Sequence, residues 1–329
     1  MTKPRDYFYS TIFDIQAAEF ESVALEIFQF QYEKCQVYKT YVDFLKIDPN
    51  QIDHVCKIPF LPIGLFKSQK IIRNSGKESI IFESSGTTGM ISSKHYVEDI
   101  KIYNKSALNY FQTIFNNIAD YTILALLPNY LQKGNSSLVY MVNEFMKCSK
   151  QAKNGFYLDD WKSLQSQLEE LEGKGQKVIL FGVTYALIDF LTSIDTKLHN
   201  TTIIETGGMK GRKSEMTKKE VYEILNRFVP SDKIYSEYGM TELLSQSYAK
   251  MDGIYKPPPW MKILVRDIAD PFQIKSTGTG LINIIDFANI NSCSFIGTDD
   301  IAHLHEDGGF EILGRLDQSD LRGCSLLYN

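Results

Sequence analysis

Ile81-Phe82-Glu83-Ser84-Ser85-Gly86-Thr87-Thr88-Gly89, with Lys94 downstream, is the stretch around which the chain is organised. Residues 77–82 read as a short apolar strand, and the turn after it holds only small hydroxyl and glycine residues. Without large side chains, the backbone N–H groups of such a turn can converge on an anion, which is how a phosphate is cradled. The loop does not follow the Walker pattern, since no Lys-Ser or Lys-Thr follows a glycine four residues on. Taken alone, a Ser/Gly/Thr cluster is more often a plain solvated loop.

Three later stretches decide between these readings: Tyr238-Gly239-Met240-Thr241-Glu242, then Asp299-Asp300, then Gly314-Arg315-Leu316-Asp317. In this order the four resemble the phosphate loop, the aromatic-Gly-x-Thr-Glu motif, the ribose-binding aspartate and the Gly-Arg-x-Asp hinge of the adenylate-forming superfamily. Ile58-Pro59-Phe60-Leu61-Pro62, Leu127-Pro128-Asn129-Tyr130-Leu131, Ser136-Ser137-Leu138-Val139-Tyr140-Met141 and Leu321-Arg322-Gly323-Cys324-Ser325-Leu326 narrow the likeness. They are similar to the acyl-protein synthetases, the ATP-dependent fatty-acid activating subunits of bacterial fatty-acid reductase complexes.

Composition agrees with a small-molecule enzyme. At 329 residues the chain can bury about three quarters of its unfolded surface and needs no staple to hold a core. A net charge of −5 with no basic block argues against nucleic acid or anionic lipid as the main partner. The 5 cysteines show no C-x-x-C spacing, which predicts reduced thiols in a cytoplasmic protein. No signal peptide is read at the N-terminus, and the longest apolar stretch, residues 178–191, falls short of a membrane span.

Apolar periodicity predicts helices over residues 17–35, 37–45, 97–117, 160–172 and 184–193, and one opening after a polar N-cap near Ser136. Thr217-x-x-Glu220 is a capping box for a further helix reaching about Phe228. Strands are expected at 121–127, 177–182, 202–205 and 233–236. The alternation predicts an α/β fold, mainly parallel with helices on both faces, with ligands at the carboxyl ends of its strands. Three loops, following residues 82, 205 and 236, are expected at one such edge. From Met261 the character turns to short β stretches at 263–266, 280–286, 294–296, 301–304 and 310–313, the last two joined by a hairpin at Glu306-Asp307-Gly308-Gly309. The expected organisation is an α/β nucleotide- and acyl-binding region over 1–260 and a β-rich region over 261–329.

Activating a carboxylate with ATP means bringing two anions together and neutralising charge on the α-phosphate as pyrophosphate leaves. The resemblance implies a role for each motif. Ser84, Ser85, Gly86, Thr87, Thr88 and Gly89, helped by Lys94, hold the β- and γ-phosphates, Thr241 reaches the α-phosphate, and Glu242 holds Mg²⁺. Tyr238, Gly239, Gly207 and Gly208 border the adenine, Asp300 takes the ribose hydroxyls, and Arg315 supplies a cation beside them. Each residue also has a plain structural alternative, Glu242 as a helix cap, Asp300 as an exposed hairpin residue and Arg315 as a partner of Asp317, but their recurrence together favours the functional reading.

Two positions depart from the superfamily pattern. Thr298-Asp299-Asp300 stands where relatives carry Thr-Gly-Asp, and Met209 stands where many place an acid. The sequence also ends soon after the hinge motif, without the small C-terminal domain of most relatives. In acyl-protein synthetases the acyl group passes to a cysteine near the C-terminus, and Cys324 matches that position, with Arg322 favouring thiolate. As chemistry alone, Cys324 reads equally as an inert strand residue. Cys35, Cys56 and Cys148 read as packing, and His303-x-His305 as a hairpin pair without a third metal ligand. The resemblance therefore implies a fatty-acid substrate and an acyl reductase or other acyl-acceptor protein as partner. A coenzyme A ligase and a catalytically silent nucleotide-binding scaffold stand as alternatives.

Overall fold

The computed structural model describes residues 3–74, 76–84, 91–127, 135–158, 160–194, 196–207 and 216–316. The chain divides into two compact units, the first drawn from residues 1–80, 93–99 and 256–329, the second from 81–92 and 100–255.

The second unit is built on a six-stranded sheet. Tyr121–Leu126, Lys177–Gly182, Thr201–Glu205 and Ile234–Tyr238 are parallel neighbours in that order. Gly155–Tyr157 adds in parallel at one end and Ser247–Ala249 antiparallel at the other. Val178, Ile179, Leu180, Phe181, Ile203 and Ile204 are fully buried, and such unbroken apolar runs suit strands covered on both faces. The helices begin where their capping residues dictate. Ser136 caps Ser137–Ser149, Asp160 caps Trp161–Gly173, and Thr217 and Glu220 close a capping box on Lys218–Leu225. Ile80–Glu83 lies outside this sheet. The edge therefore carries two of the three loops expected there, those after Thr201–Glu205 and Ile234–Tyr238.

In the first unit the central strand is Phe295–Leu304. One edge pairs along its length with Gly278–Asp286. The other pairs first with Leu61–Pro62, in parallel, and then with Phe310–Arg315. Residues 294–296 and 301–304, expected as two strands, are thus parts of one. The Asp299-Asp300 pair between them has low strand propensity, but the change of partner along one edge keeps it extended. Met261–Arg266 and Ile274–Lys275 complete the sheet. The hairpin after Leu304 closes as expected, with His305 N–H donating to the Gly309 carbonyl at 2.8 Å.

Phe20–Lys34 and Gln36–Phe44 supply the aromatic core of this unit. Phe295 lies 6.3 Å from the ring of Phe28, 6.0 Å from Tyr38 and 6.2 Å from Phe60. The buried Tyr38 hydroxyl donates to the Pro59 carbonyl at 2.7 Å. A buried amide pins the helix Phe20–Lys34 to the turn before the strand. Gln31 Nε2 donates to the Asn289 and Ile290 carbonyls at 3.0 and 3.1 Å, and its Oε1 accepts from Ser294 N–H at 2.9 Å.

Phe295→Ala is expected to destabilise the protein by about 3–5 kcal/mol, read as a lower midpoint in urea unfolding. Gln31→Leu, similar in size and apolar, is expected to cost about 1–3 kcal/mol for each buried polar group that it strands. An unchanged midpoint in both variants would show that the aromatic cluster and the amide pin are not what holds the strand.

Candidate active site

Of the residues singled out in the sequence, Ser85, Gly86, Thr87, Thr88, Gly89, Gly208, Met209, Asp317, Arg322 and Cys324, with residues 128–131, lie outside the described residues. The others fall into separate groups.

In the second unit, Gly207, Tyr238, Gly239, Thr241 and Glu242 occupy the loops after two adjacent parallel strands, where Glu205 and Ser236 stand in register. Gly207 adopts φ +72, a left-handed conformation that costs glycine little, and a Cβ built there would meet nothing within 4 Å. That open space is counted among the described residues only. Tyr238 is half-buried, its ring 5.9 Å from that of Tyr255 in an edge-on contact. Thr241 and Glu242 sit on a turn closed by Leu243 N–H donating to the Met240 carbonyl at 3.1 Å, Thr241 half-buried and Glu242 buried. Ser84, half-buried, follows the separate strand Ile80–Glu83.

In the first unit, Asp300 and Arg315 are register partners across the last hairpin, with Arg315 Nε 3.7 Å from Asp300 Oδ1. The Arg315 side chain is 67% exposed, so this pair adds at most about 1 kcal/mol to stability and holds neither group tightly. Lys94 opens the strand Lys94–Val97 and is exposed. His303 Nδ1 is 3.0 Å from Thr279 Oγ1 on the neighbouring strand and His305 Nε2 is 2.7 Å from Glu311 Oε1 on the hairpin, so both rings have hydrogen-bond partners. Burial raises the thiol pKa of Cys35 and of half-buried Cys56 and Cys148, and lifts that of fully buried Cys293 well above its ordinary value.

The sequence reading missed the group that positions the sheet-edge loops. Glu205, fully buried, ends its strand with one carboxylate oxygen accepting from Thr184 Oγ1 at 2.6 Å and from Gly207 N–H at 3.0 Å. The other accepts from Ser236 Oγ and from Lys218 Nζ. Tyr222 OH lies 2.6 Å from the same Ser236 hydroxyl. Burial pushes the Glu205 pKa up, but Lys218 and these hydrogen bonds outweigh it and leave the carboxyl below its ordinary range. An acid closing an otherwise apolar strand just before Gly207 was the available signal.

Glu237, on the next strand, is buried without such support. Desolvation, with the Glu205 charge adding to it, pushes its carboxyl up to about 8. A Cβ at Gly239 would fall 2.2 Å from Glu237 Oε1, so the glycine of the aromatic-Gly-x-Thr-Glu motif leaves room for this acid.

A carboxyl raised in this way keeps its proton in the folded chain while the unfolded chain loses it. The Glu237 contribution to stability therefore falls as pH rises from 4.5 to about 8. Glu205 acts oppositely, since its contribution is present above the ordinary carboxylate range and is lost as pH falls through its lowered value. Glu237→Gln is expected to flatten the decline in thermal midpoint between pH 5 and 8 and to raise the midpoint at pH 8. Parallel wild-type and variant profiles would show that Glu237 is ionised throughout.

The acyl-protein synthetase (LuxE) family profile matches residues 8–329. The long-chain-fatty-acid–luciferin-component ligase of Photorhabdus luminescens is 32% identical over 81 residues, 24% of this chain and 69% of that protein. Among solved structures, an open conformation of 2-hydroxyisobutyryl-CoA ligase in complex with 2-HIB-AMP and CoA aligns with a TM-score of 0.62 at 12% identity, over 97% of this chain and 75% of that one. ATP-bound MatB from Rhodopseudomonas palustris gives 0.52 at 18% identity, over 71% and 47%. The long-chain-fatty-acid-CoA ligase FadD1 from Archaeoglobus fulgidus gives 0.53 at 14% identity, over 78% and 55%. The chain thus spans about half the length of the last two. At these identities the likeness is one of fold, the α/β fold of adenylate-forming enzymes. With the profile covering nearly the whole sequence, the chain belongs to the LuxE family of acyl-protein synthetases.

Proposed function

We propose that the chain is an ATP- and Mg²⁺-dependent fatty-acid:protein ligase. The observation that carries this reading is the family match over residues 8–329. The position of Tyr238, Thr241 and Glu242 at the carboxyl ends of parallel strands, where ligands of open α/β sheets bind, supports it.

In the first half-reaction a fatty-acid carboxylate oxygen attacks the α-phosphorus of ATP, forming acyl-AMP as the bond to pyrophosphate breaks. Thr241 donates to the α-phosphate, and the loop 84–89 with Lys94 takes the outer phosphates. Tyr238 and Gly207 border the base. Asp300 accepts from the ribose hydroxyls, and Arg315, loosely paired with it, is available to an anionic oxygen. Among the described residues no group of three or more His, Cys, Asp or Glu could hold a metal. Mg²⁺ would rest on the Glu242 carboxylate and phosphate oxygens, a common arrangement for this ion, and would neutralise charge on the departing pyrophosphate.

In the second half-reaction the Cys324 thiolate attacks the acyl carbonyl, AMP leaves, and a thioester forms for delivery to an acyl reductase or another acceptor protein. The thiols of Cys35, Cys56, Cys148 and Cys293, none in a disulfide, fit a reducing cytoplasmic setting. Among the described residues no helix is long and apolar enough to cross a membrane.

Carboxylate-dependent ATP–pyrophosphate exchange is expected for the wild type and reduced about 100-fold or more in Glu242→Gln. Incubation with ATP and labelled fatty acid is expected to give a hydroxylamine-labile protein label that Cys324→Ser loses while keeping exchange. No exchange with any fatty acid would leave a nucleotide-binding scaffold. A label that persists in Cys324→Ser, or acyl transfer to coenzyme A by that variant, would remove the cysteine step.

A further inference from the structure

Two buried polar side chains of the second unit converge on Gly239, and neither has a part in the half-reactions above. Glu237 stands one residue before the end of the strand Ile234–Tyr238, and Gln246 immediately precedes the antiparallel strand Ser247–Ala249. Tyr238 and Ser247 are register partners, so Gln246 lies opposite Gly239 one step further along. A Cβ built on Gly239 would clash with Glu237 Oε1 and would lie 3.3 Å from Gln246 Cγ. The Glu237 carboxyl therefore leans over the glycine backbone, toward the carboxyl end of the parallel strands, with the Gln246 stem beside it.

Glu237 is 9% exposed and Gln246 5%. Among the described residues neither side chain has a hydrogen-bond or ion-pair partner. The charges that act on Glu237 are those of Glu205, on the neighbouring strand, and Lys218, on the helix Lys218–Leu225. Three phenols also face it: Tyr103 on the helix Ile100–Phe115, Tyr248 on Ser247–Ala249, and Tyr255. Burial lifts all three above their ordinary range, so they stay neutral where Glu237 titrates. Held by burial up to about 8, the Glu237 carboxyl keeps its proton at neutral pH. A protonated acid has one O–H to donate, and a Gln amide has two N–H donors. Buried donors without acceptors are costly, and a ligand that supplies the acceptor removes the cost. Ligands of open α/β sheets bind at this edge.

We propose that Glu237 and Gln246 are a further substrate contact, a pair of neutral donors over Gly239 that takes an anionic oxygen of a bound carboxylate or phosphate. The contact rests on the ligase reading for the presence of such a ligand at this edge. Once ionised, Glu237 sets a second negative charge against that oxygen, so binding and retention of the proton reinforce one another. Glu205 adds little repulsion of its own, because Lys218 pairs with it.

The test is equilibrium binding to the full-length protein between about pH 7 and 9.5, with AMP and decanoate, the latter below its micellar concentration, titrated separately. Wild-type affinity for at least one of them is expected to fall about tenfold per pH unit above about 8, as the proton is lost. At pH 7, Glu237→Ala is expected to bind that ligand about tenfold more weakly. Glu237→Gln, which donates but cannot ionise, is expected to restore most of that loss and to abolish the slope. Gln246→Leu is expected to weaken binding about tenfold and to keep the slope. A slope for AMP alone assigns the contact to a phosphate, a slope for decanoate alone to the acid, and slopes for both to an oxygen position that either ligand reaches. A packing role for Glu237 moves stability and not this slope. Flat wild-type profiles for both ligands, binding of neither at pH 7, or a Glu237→Gln profile parallel to the wild type would overturn the proposal. Affinity that rises with pH, as for a carboxylate holding a cation, would do the same. Should Glu237→Ala not fold, the slope in Glu237→Gln decides alone. A slope without pyrophosphate exchange keeps the contact and removes the ligase reading, and exchange with flat profiles does the reverse.

Discussion

A buried negative charge organises the edge of the parallel sheet. The Glu205 carboxylate accepts from Thr184, the Gly207 backbone, Ser236 and Lys218. These partners come from the strand's own loop, the neighbouring strand and two helices. Such a charge in the interior is tolerated only when paired and fully hydrogen-bonded, and the residues that satisfy it cannot move independently. The loop through Gly207 and the strand leading to Tyr238 are thereby held together. Its proximity is also the electrostatic cost on Glu237, which sits in the same buried layer and keeps its proton.

In the first unit the corresponding constraint is the strand Phe295–Leu304. Its Phe295 end is fixed by aromatic packing against Phe28, Tyr38 and Phe60. Its far end is fixed by pairing with Phe310–Arg315, which brings Asp300 and Arg315 side by side. Between them, Gly297 and Asp299 border a cavity that Arg266 and Asn283 also line. One strand thus carries Asp300 of the Asp299-Asp300 stretch and two positions, Gly297 and Asp299, that line the cavity.

Much of this was legible in the sequence where local chemistry fixes the outcome. The Thr217–Glu220 capping box, the Ser136 cap and the Gly308-Gly309 hairpin all formed where their residue types predicted. The apolar run at residues 177–182 is the buried parallel strand that it resembles. The histidine pair on the last hairpin is satisfied by Thr279 and Glu311. Less legible were short edge strands such as Leu61–Pro62, whose extension comes from a partner more than two hundred residues away.

The sequence by itself determined the family and the residue types at each motif, because those depend on side-chain chemistry at fixed spacing: a hydroxyl and a carboxylate after an aromatic-glycine pair, an aspartate, an arginine after a glycine. Only the tertiary structure decided which charges lie close enough to act on one another. Glu205 and Lys218, Glu237 and Glu205, Arg266 and Asn283, and Asp300 and Arg315 are brought together by strand register and helix placement. Burial and distance, which set the strength of those interactions, are properties of the folded chain and not of any stretch of it.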